Sequence, residues 1–473
     1  MKKPLRSLLV VIAAVGVAAS GAAIADGLIG ATPLPQAQQV DEVALALSNP
    51  GSHPRLGVPE FLMTGGDAKS TEAAKTVAEV LWNDLDFERE YLLITRASAA
   101  AIPLTPVTAM PYARWAELGA DVVLHGSATG SGTTLTIDLR LVSAKGQAPG
   151  TQYFAKRYQC GVQTARGPRD CAHQIADDFH KEVRNLDGVA RTKLAFTSDR
   201  DSARATGRPQ ASAGLSKEIY IADYDGANPV RFTSNRSINI SPTWSPVDGL
   251  LAYTSYSSRY PDIYVANLAQ PGRGLQRPAG GNESIHNQLA AWSPDGSMLA
   301  FMSNRSGNSD IWVVNRDGSG LRNLTNYPRA DEGAPTWSPD GQRIAFTSDR
   351  VTGKSPQLYV MSVTSGVAER ITSEQIDRPT WSKQNFIAFT VGGPPFFEIG
   401  VWDFSNPGVR ILTNGVGTNE SPAISPSGRH IAFLTTRWGR QEIAVMDRTG
   451  NNVRRITNSG NNTFPSWQPI PGR

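Results

Sequence analysis

The sequence predicts two domains: a small α/β N-terminal domain, followed by a six-bladed β-propeller that is closed by the C-terminal strand. Three observations support this fold class. A pattern built on Trp-Ser-Pro-Asp-Gly returns six times at nearly constant spacing, each copy belongs to a unit of four short candidate strands, and one end of the array lacks a strand that the other end supplies. A repeat period in the forties is typical of propellers and related arrays.

The repeated pattern is complete at Trp292 and at Trp337, where Trp-Ser-Pro-Asp-Gly is spelled in full. Altered copies begin at Trp244, Trp381, Ile424 and Trp467. Successive copies are 43 to 48 residues apart. Proline presets φ and glycine readily adopts a positive φ, so the pattern favours a tight turn that follows a strand.

Each repeat unit contains four candidate strands. The first ends at the Trp, the second is an apolar run such as 344–348, the third alternates as in 310–313, and the fourth ends in Leu-Thr as in 322–325. No helical pattern interrupts the array. Four antiparallel strands within about 45 residues are typical of a propeller blade, so six units predict six blades.

The ends of the array predict how the ring closes. The first match to a second strand, 193–197, has no Trp strand before it, and the last Trp strand, 463–467, is followed only by a short tail. The C-terminal strand is therefore expected to complete the blade that begins at Lys193. A closed ring leaves only short, protected strand edges. The alternative is an open row of β-units.

Length and charge narrow the class of protein. A chain of 473 residues is too long for one ordinary core, so two domains and a leader are expected. The formal net charge is only +4, and no run of Lys and Arg is dense enough to predict nucleic-acid binding. The 44 Gly and 32 Pro suit a β protein that is rich in turns.

The first 25 residues have the pattern of a secretory signal peptide. Lys2, Lys3 and Arg6 precede an apolar stretch at 8–19 and a small-x-small cleavage site, Ala-Ile-Ala, at 23–25. The apolar stretch is shorter than the roughly 20 residues that span a bilayer, although a retained signal anchor is the alternative. We expect an exported protein without membrane insertion, in which residues 26–41 form a flexible leader.

Residues 42–188 have the mixed patterns of an α/β domain, which leaves 189–473 for the propeller. An amphipathic helix is predicted over 70–87 with Ser70 as its N-cap, because apolar residues recur there every three or four positions. Further helices are predicted over 110–118 and 171–186. Strands are predicted over 42–47, 56–61, 91–95, 121–124, 133–142 and 152–158.

Cys160 and Cys171 are the only cysteines, eleven positions apart. Disulfides persist in the oxidising environment that an exported protein meets, and two thiols alone make a poor metal site, so a disulfide is expected. Closing this short loop would stabilise the fold by about 2–4 kcal/mol, mainly by restricting the unfolded chain.

Common catalytic signatures do not occur in the sequence. It has no Gly-x-Ser-x-Gly elbow and no His-Glu-x-x-His motif. The glycine-rich stretch 126–133 lacks the lysine of a phosphate loop and fits a hairpin turn, and Asp199 and Asp201 fit a solvated connection better than a calcium loop. We therefore predict no enzyme activity, no cofactor and no metal site.

Two stretches in front of the propeller carry a family resemblance: Leu-Gly-Val-Pro at 56–59 and Trp-Ala-Glu-Leu-Gly-Ala-Asp-Val-Val at 115–123. Together with the propeller repeat, they resemble the TolB family, the periplasmic component of the Tol–Pal system of Gram-negative envelopes. The resemblance covers nearly all of the mature chain. It implies a non-enzymatic scaffold whose propeller binds the lipoprotein Pal and whose N-terminus binds TolA, in a system that supports outer-membrane integrity and envelope constriction at division.

The predicted surface for a partner is the mouth of the propeller channel. Counting back from each repeated Trp gives loops that enter the innermost strands, with a proline soon after in five of six. A rigid polar ring suits a protein partner better than a catalytic pocket, although these residues also fit simple caps that face water. His286 corresponds to a position at the Pal-facing surface of the family. The candidate residues are Asn239, His286, Asn287, Gln288, Asp331, Glu332, Gly333, Asp377, Arg378, Asn419, Glu420, Asn462 and Thr463.

The resemblance also implies a TolA-binding segment, with Glu42, Val43, Leu45 and Leu47 as its candidate contacts. In the family this segment lies at the mature terminus, whereas here a leader of about 16 residues precedes it. We expect a monomer. Two other functions fit the sequence: a propeller lyase that acts on polysaccharide through a cluster of His286, His430 and Glu420, and a propeller adaptor for a different envelope partner.

Overall fold

The computed structural model describes residues 42–49, 51–146, 148–202, 216–269, 276–393 and 396–471. The signal peptide and leader predicted at 1–25 and 26–41 lie outside the described residues. Residues 42–473 form one compact unit. Within the described ranges, no helix is both long and apolar enough to cross a membrane.

The N-terminal part of the chain is built on one mixed sheet. Its strands are β1 (Arg55–Gly57), β2 (Leu62–Gly65), β3 (Leu92–Leu93), β4 (Val122–Ser131), β5 (Thr134–Ser143) and β6 (Gln152–Gly161). They lie in the order β3-β1-β4-β5-β6, and β2 also pairs with β4. Strand β1 is parallel to β3 and β4, whereas β4, β5 and β6 are antiparallel.

Helices pack on this sheet. They are α1 (Glu42–Ser48), α2 (Ala68–Glu88), α3 (Arg96–Ala100), α4 (Tyr112–Glu117) and α5 (Arg166–Arg184), with a 3-10 turn at Val107–Ala109. The N-cap of α2 is Asp67, whose carboxylate accepts a hydrogen bond from Ser70 N at 2.8 Å. The N-cap predicted at Ser70 is therefore wrong by three residues, because the acidic side chain outside the apolar pattern makes the capping bond.

Two strand predictions in this region are wrong. Residues 42–47 form the helix α1 rather than a strand, because Glu, Ala and Leu favour helices and no sheet edge pairs with this segment. The strand predicted at 56–61 ends at Gly57 with β1, and β2 begins only at Leu62, because Pro59 between them has no N–H to donate to a ladder. In the stretch 126–133, the hairpin turn is limited to residues 132 and 133, since β4 extends to Ser131.

The predicted disulfide is confirmed. Cys160 of β6 and Cys171 of α5 are bonded, with their Cα atoms 5.5 Å apart. The bond ties the last strand of the sheet to the helix that follows it. Both cysteines are buried within the apolar core of this region.

Six antiparallel sheets follow and form the blades. Blade 1 has β7 (Lys193–Ser198), β8 (Glu218–Asp223) and β9 (Val230–Arg231); blade 2 has β10 (Asn239–Trp244), β11 (Leu250–Ser255) and β12 (Asp262–Asn267); blade 3 has β13 (Asn287–Trp292), β14 (Met298–Ser303), β15 (Asp310–Asn315) and β16 (Arg322–Asn323); blade 4 has β17 (Glu332–Trp337), β18 (Arg343–Ser348), β19 (Gln357–Ser362) and β20 (Ala368–Arg370); blade 5 has β21 (Ile376–Trp381), β22 (Phe386–Gly393), β23 (Phe396–Asp403) and β24 (Asn406–Ile411); blade 6 has β25 (Asn419–Ile424), β26 (His430–Thr435), β27 (Glu442–Asp447) and β28 (Arg454–Arg455).

The ring closes as the sequence predicts. The last strand, β29 (Asn462–Trp467), pairs antiparallel with β7 and becomes the innermost strand of blade 1. Blade 2 shows three strands within the described residues. A single bridge between Val265 and Gln276 marks the position of a fourth strand, and residues 270–275 lie outside the description.

Three of the repeated tryptophans, Trp244, Trp292 and Trp337, link neighbouring blades through the indole N–H. The indole N–H of Trp292 donates to Thr243 O at 3.3 Å, and that of Trp337 donates to Ala291 O at 3.1 Å. In both cases the acceptor belongs to the preceding blade. The repeat therefore supplies the turn after the innermost strand and also a polar link between blades whose interiors are otherwise apolar.

Candidate functional site

The positions predicted as loops at the channel mouth begin the innermost strands instead. Each innermost strand starts with a residue that is at most 1% exposed: Asn239, Asn287, Glu332, Ile376, Asn419 and Asn462. The prediction that these positions are loops is wrong, because each first residue is already paired with the second strand of its blade, as Asn287 is with Ser303. In this conformation their side chains are not available to a partner.

The buried asparagines link adjacent blades. Asn287 Nδ2 donates to Asp262 Oδ1 of blade 2 at 2.8 Å, and its Oδ1 accepts from Arg305 Nη2 at 3.0 Å. Asn419 likewise donates to Glu398 of blade 5 at 2.9 Å. An amide carries a donor and an acceptor, so one side chain satisfies a carboxylate and a guanidinium at once. These hydrogen bonds fix the first residues of the innermost strands directly beneath the mouth.

The second residue of each innermost strand lies closer to the surface. Asp377 is exposed, Gln288, Gly333 and Glu420 are half-buried, and Thr463 is buried. The polar groups of the predicted ring that reach solvent at this level are therefore Gln288, Asp377 and Glu420. They lie on three different blades, numbered 3, 5 and 6.

The third residue of every innermost strand lines the channel, and of these six residues the sequence pattern indicates only Arg378. These residues all have φ between 47° and 57°, and each strand has a register shift at this point: Ser241, Leu289, Ala334, Arg378, Ser421 and Phe464. A β-bulge redirects side chains in this way. Together with the prolines that follow, they line a cavity of about 250 Å³ on the axis.

Arg378 spans this channel. Its Nη1 donates to Ser241 Oγ on blade 2 at 3.0 Å, although Arg378 itself belongs to blade 5. The guanidinium carbon lies 4.3 Å from the centroid of the Phe464 ring on blade 1, within the range of a cation–π contact. The side chain thus links its own blade to two others and crosses the axis directly beneath the mouth.

The charges around Arg378 define the electrostatics of the mouth. Its Nε lies 3.9 Å from Asp377 Oδ2, and burial lowers the pKa of the guanidinium. Burial raises the pKa of Glu420, and the neighbouring carboxylate of Asp377 adds to that increase. Two carboxylates and one guanidinium therefore converge here, an arrangement suited to ion pairs and hydrogen bonds with a partner.

His286 and Asp331 lie in the connections that lead into β13 and β17. His286 is half-buried, its backbone N–H donates to Asn304 Oδ1 at 2.7 Å, and its Nε2 is 3.1 Å from Glu283 O. Asp331 is exposed, and its Oδ1 accepts from Ser309 N at 2.9 Å. Both residues flank the mouth, and side chains fix their backbones, since His286 N donates to Asn304 Oδ1 and Asp331 N donates to Asp349 Oδ1 at 2.9 Å.

The cluster that a lyase would need is not formed. His430 begins β26, at the end of the blade opposite to Glu420, because β26 runs antiparallel to β25. It is buried, and its Nε2 lies 3.2 Å from Phe87 O in the N-terminal part of the chain. His430 therefore belongs to a domain contact and not to the mouth with His286.

The predicted TolA-binding segment is docked on its own domain. Val43 and Leu47 are buried, and Arg184 of α5 donates to Ala46 O at 3.0 Å and to Leu47 O at 3.1 Å. These bonds satisfy carbonyl groups that a helix leaves open at its C-terminus. The side chains of Glu42 and Leu45 lie outside the description.

Comparison with known proteins decides the family. The family model for the TolB beta propeller domain matches residues 182–471, and that for the TolB amino-terminal domain matches residues 51–148. The Tol-Pal system protein TolB of Bordetella pertussis is 32% identical over 404 residues, which cover 84% of this chain and 85% of the relative. The chain belongs to the TolB family.

A second relative is similar over about half of its length, and a solved structure is similar in fold. The Tol-Pal system protein TolB of Desulfosudis oleivorans is 33% identical over 231 residues, 47% of this chain and 48% of that protein. The crystal structure of TolB from Acinetobacter baumannii superposes with a TM-score of 0.72 at 20% identity, covering 89% of this chain and 98% of that chain. The likeness in fold confirms the predicted α/β domain and six-bladed propeller, and membership of the TolB family supports a non-enzymatic protein.

Proposed function

We propose that the protein is the periplasmic scaffold of a Tol–Pal system. Its propeller binds Pal, its N-terminal segment binds TolA, and the link maintains outer-membrane integrity and envelope constriction at cell division. The TolB relatives are Tol-Pal system proteins by name, which supports a place in that system. The proposal includes export of the protein to the periplasm by the signal peptide at 1–25.

The geometry of the mouth supports the proposal that Pal binds to the propeller. Gln288, Asp377 and Glu420 are presented by rigid strands, and Arg378 provides a charged floor beneath them. The N-terminal domain contacts the opposite ends of the strands, as His430 shows, so it leaves the mouth open. An open, preorganised polar ring loses little conformational entropy when a protein partner binds.

The assignment of TolA to the N-terminal segment requires a conformational change. Val43 and Leu47 face α5 and are buried, so a partner that contacts them must displace α1 from its own domain. The carbonyl groups of Ala46 and Leu47 would then lose the Arg184 donor, whereas Ser52 O, which also accepts from Arg184 at 2.8 Å, lies beyond the end of α1. TolA binding is therefore expected to compete with the docking of α1.

Calorimetric titration of the full mature chain with the soluble domain of Pal from the same organism tests the proposal. We expect saturable one-to-one binding that His286→Ala and Glu420→Ala each weaken about tenfold, the effect of truncating one of the few side chains that dominate an interface. Arg322→Ala, an exposed residue on an outer strand, is the matched control. Binding that both mouth variants leave unchanged would reject this surface, and no binding by folded protein would reject Pal as the partner.

A further inference from the structure

The end of helix α2 docks in a cleft between blades 6 and 1. The ring of Phe87 stacks on His430 with centroids 4.4 Å apart and meets Tyr224 edge-on at 4.8 Å. Asp86, just before it, pairs with Arg454, whose guanidinium carbon also lies 5.3 Å from the Phe87 ring. An aromatic side chain and the acidic residue that precedes it are thus the anchor of this contact.

A corresponding cleft lies between blades 4 and 5, because the strands of the blades pair in the same register. Arg343 pairs with Ser362 as His430 pairs with Asp447, and Glu369 pairs with Val360 as Arg454 pairs with Val445. Phe404 follows the end of β23 as Tyr224 follows the end of β8. The counterparts of His430, Arg454 and Tyr224 are therefore Arg343, Glu369 and Phe404. Val367 corresponds to Asn452, which accepts a hydrogen bond from Arg89 Nη2 at 2.9 Å in the docked cleft.

This second cleft is open and has an aromatic floor. It forms a cavity of about 470 Å³, and Val367 at its rim is 71% exposed. Trp402 lines it at the register position that Ala222 occupies in blade 1. Arg343 lies 5.5 Å from the centroid of Phe404, so the wall offers a cation–π surface.

The corresponding cleft between blades 2 and 3 is different. Its lining is polar and includes Gln276 and Arg316 at the positions of Arg454 and Tyr224, without an aromatic side chain among its lining residues. The aromatic floor is therefore a property of the cleft between blades 4 and 5 and does not follow from the propeller fold alone.

The charged side chain at the rim of the open cleft indicates which kind of partner binds there. In the docked cleft, Arg454 faces the acidic residue before the aromatic anchor, whereas the open cleft has the exposed carboxylate of Glu369 at that position. We propose that the cleft between blades 4 and 5 is a second docking site, for a partner protein that inserts an aromatic side chain preceded by lysine or arginine. A second copy of this chain is disfavoured, because Asp86 would meet Glu369.

Two peptides test the proposal. Both carry the sequence of residues 78–90 with a fluorescent label, one as it stands and one with Asp86→Lys. Titration with the full mature chain, followed by fluorescence anisotropy, is expected to show saturable binding of the lysine peptide and about tenfold weaker binding of the native one. The site that α2 fills between blades 6 and 1 is occupied in this chain and does not compete.

Variants locate the site. Glu369→Arg changes an exposed residue and should reverse the preference, so that the native peptide binds about tenfold more tightly than the lysine peptide. Trp402→Ala should abolish binding of both peptides while circular dichroism shows an unchanged fold. The proposal is overturned if neither peptide binds, or if the order of affinities survives Glu369→Arg.

Discussion

Glu332 occupies a position where four of the other five blades have asparagine. It is 1% exposed, and Ser348 Oγ and Arg350 Nη2 donate to its Oε1 at 2.8 and 3.1 Å. Burial raises its pKa to about 7, the nearby Asp310 adds to the increase, and the two donors oppose it. This carboxyl group therefore remains protonated in the folded protein at pH values where a free glutamate is ionised.

The raised pKa makes the stability of the protein depend on pH. Since the folded pKa lies above the ordinary value of 4.5, the stabilisation from the bound proton is fully present below about pH 4.5 and is lost as pH rises through 7. Glu332→Gln supplies a permanent amide and should raise the free energy of unfolding by about 1–3 kcal/mol at pH 8, with little change at pH 5. Urea unfolding at both pH values measures this. An equal effect at both pH values, or the same gain in the exposed control Glu374→Gln, would contradict the prediction.

For single residues, the sequence predicts a ring at one end of the channel but not the contacts that the side chains of this ring make. Arg378 was placed in the ring, yet its hydrogen bond to Ser241 on the facing blade depends on the β-bulge that turns the third residue of each strand inward. The bulge depends on how two strands pair. The residues at the bulges have different side-chain types, so no shared side chain at these positions predicts it. Contacts across a closed ring join residues far apart in sequence.

Among the secondary-structure elements, the strands with a regular apolar pattern are predicted correctly from the sequence, whereas some short segments are not. The second strand of each blade was predicted from an apolar run whose aromatic residue is fully buried, as Phe346 is in β18. Segment 42–47 has no such pattern, because helix and strand both place Val43 and Leu47 on one face. Its helical state depends on packing against α5 and on the donors of Arg184.

Loss of the apolar contact of Leu47 should release α1 from its domain. Leu47→Asp introduces a charge at a position that is 4% exposed, and it should favour the undocked helix by about 2–4 kcal/mol. Hydrogen–deuterium exchange is expected to become faster across 42–48 while the propeller strands remain protected. Leu92→Asp, at an exposed leucine of β3, is the control. Unchanged protection of 42–48 would show that Leu47 does not hold the helix in place.

At the scale of the whole molecule, the sequence separates two domains but does not reveal how they are joined. Asp84 of α2 accepts a hydrogen bond from Tyr224 Oη at 2.6 Å and lies 2.8 Å from His173 Nδ1, all three buried. Glu88 accepts from Val189 N at 2.9 Å and pairs with Arg429 of blade 6. These partners are 89 to 341 residues apart in sequence, and no local pattern connects them.

The Glu88–Arg429 pair makes the coupling of the domains sensitive to acid. Burial raises the pKa of Glu88, but the Arg429 guanidinium and His430 outweigh it and lower the pKa to about 2. The pair therefore stabilises the folded protein fully above about pH 4.5 and loses its effect as pH falls through 2. Glu88→Ala leaves the largely buried Arg429 with only the longer ion pair to Glu90 at 3.6 Å, which should cost about 3 kcal/mol. Scanning calorimetry at pH 7 should then show two transitions in the variant and one in the parent, because the domains no longer unfold together. A single transition shared by both proteins would mean that Asp84 and its partners are sufficient to couple the domains.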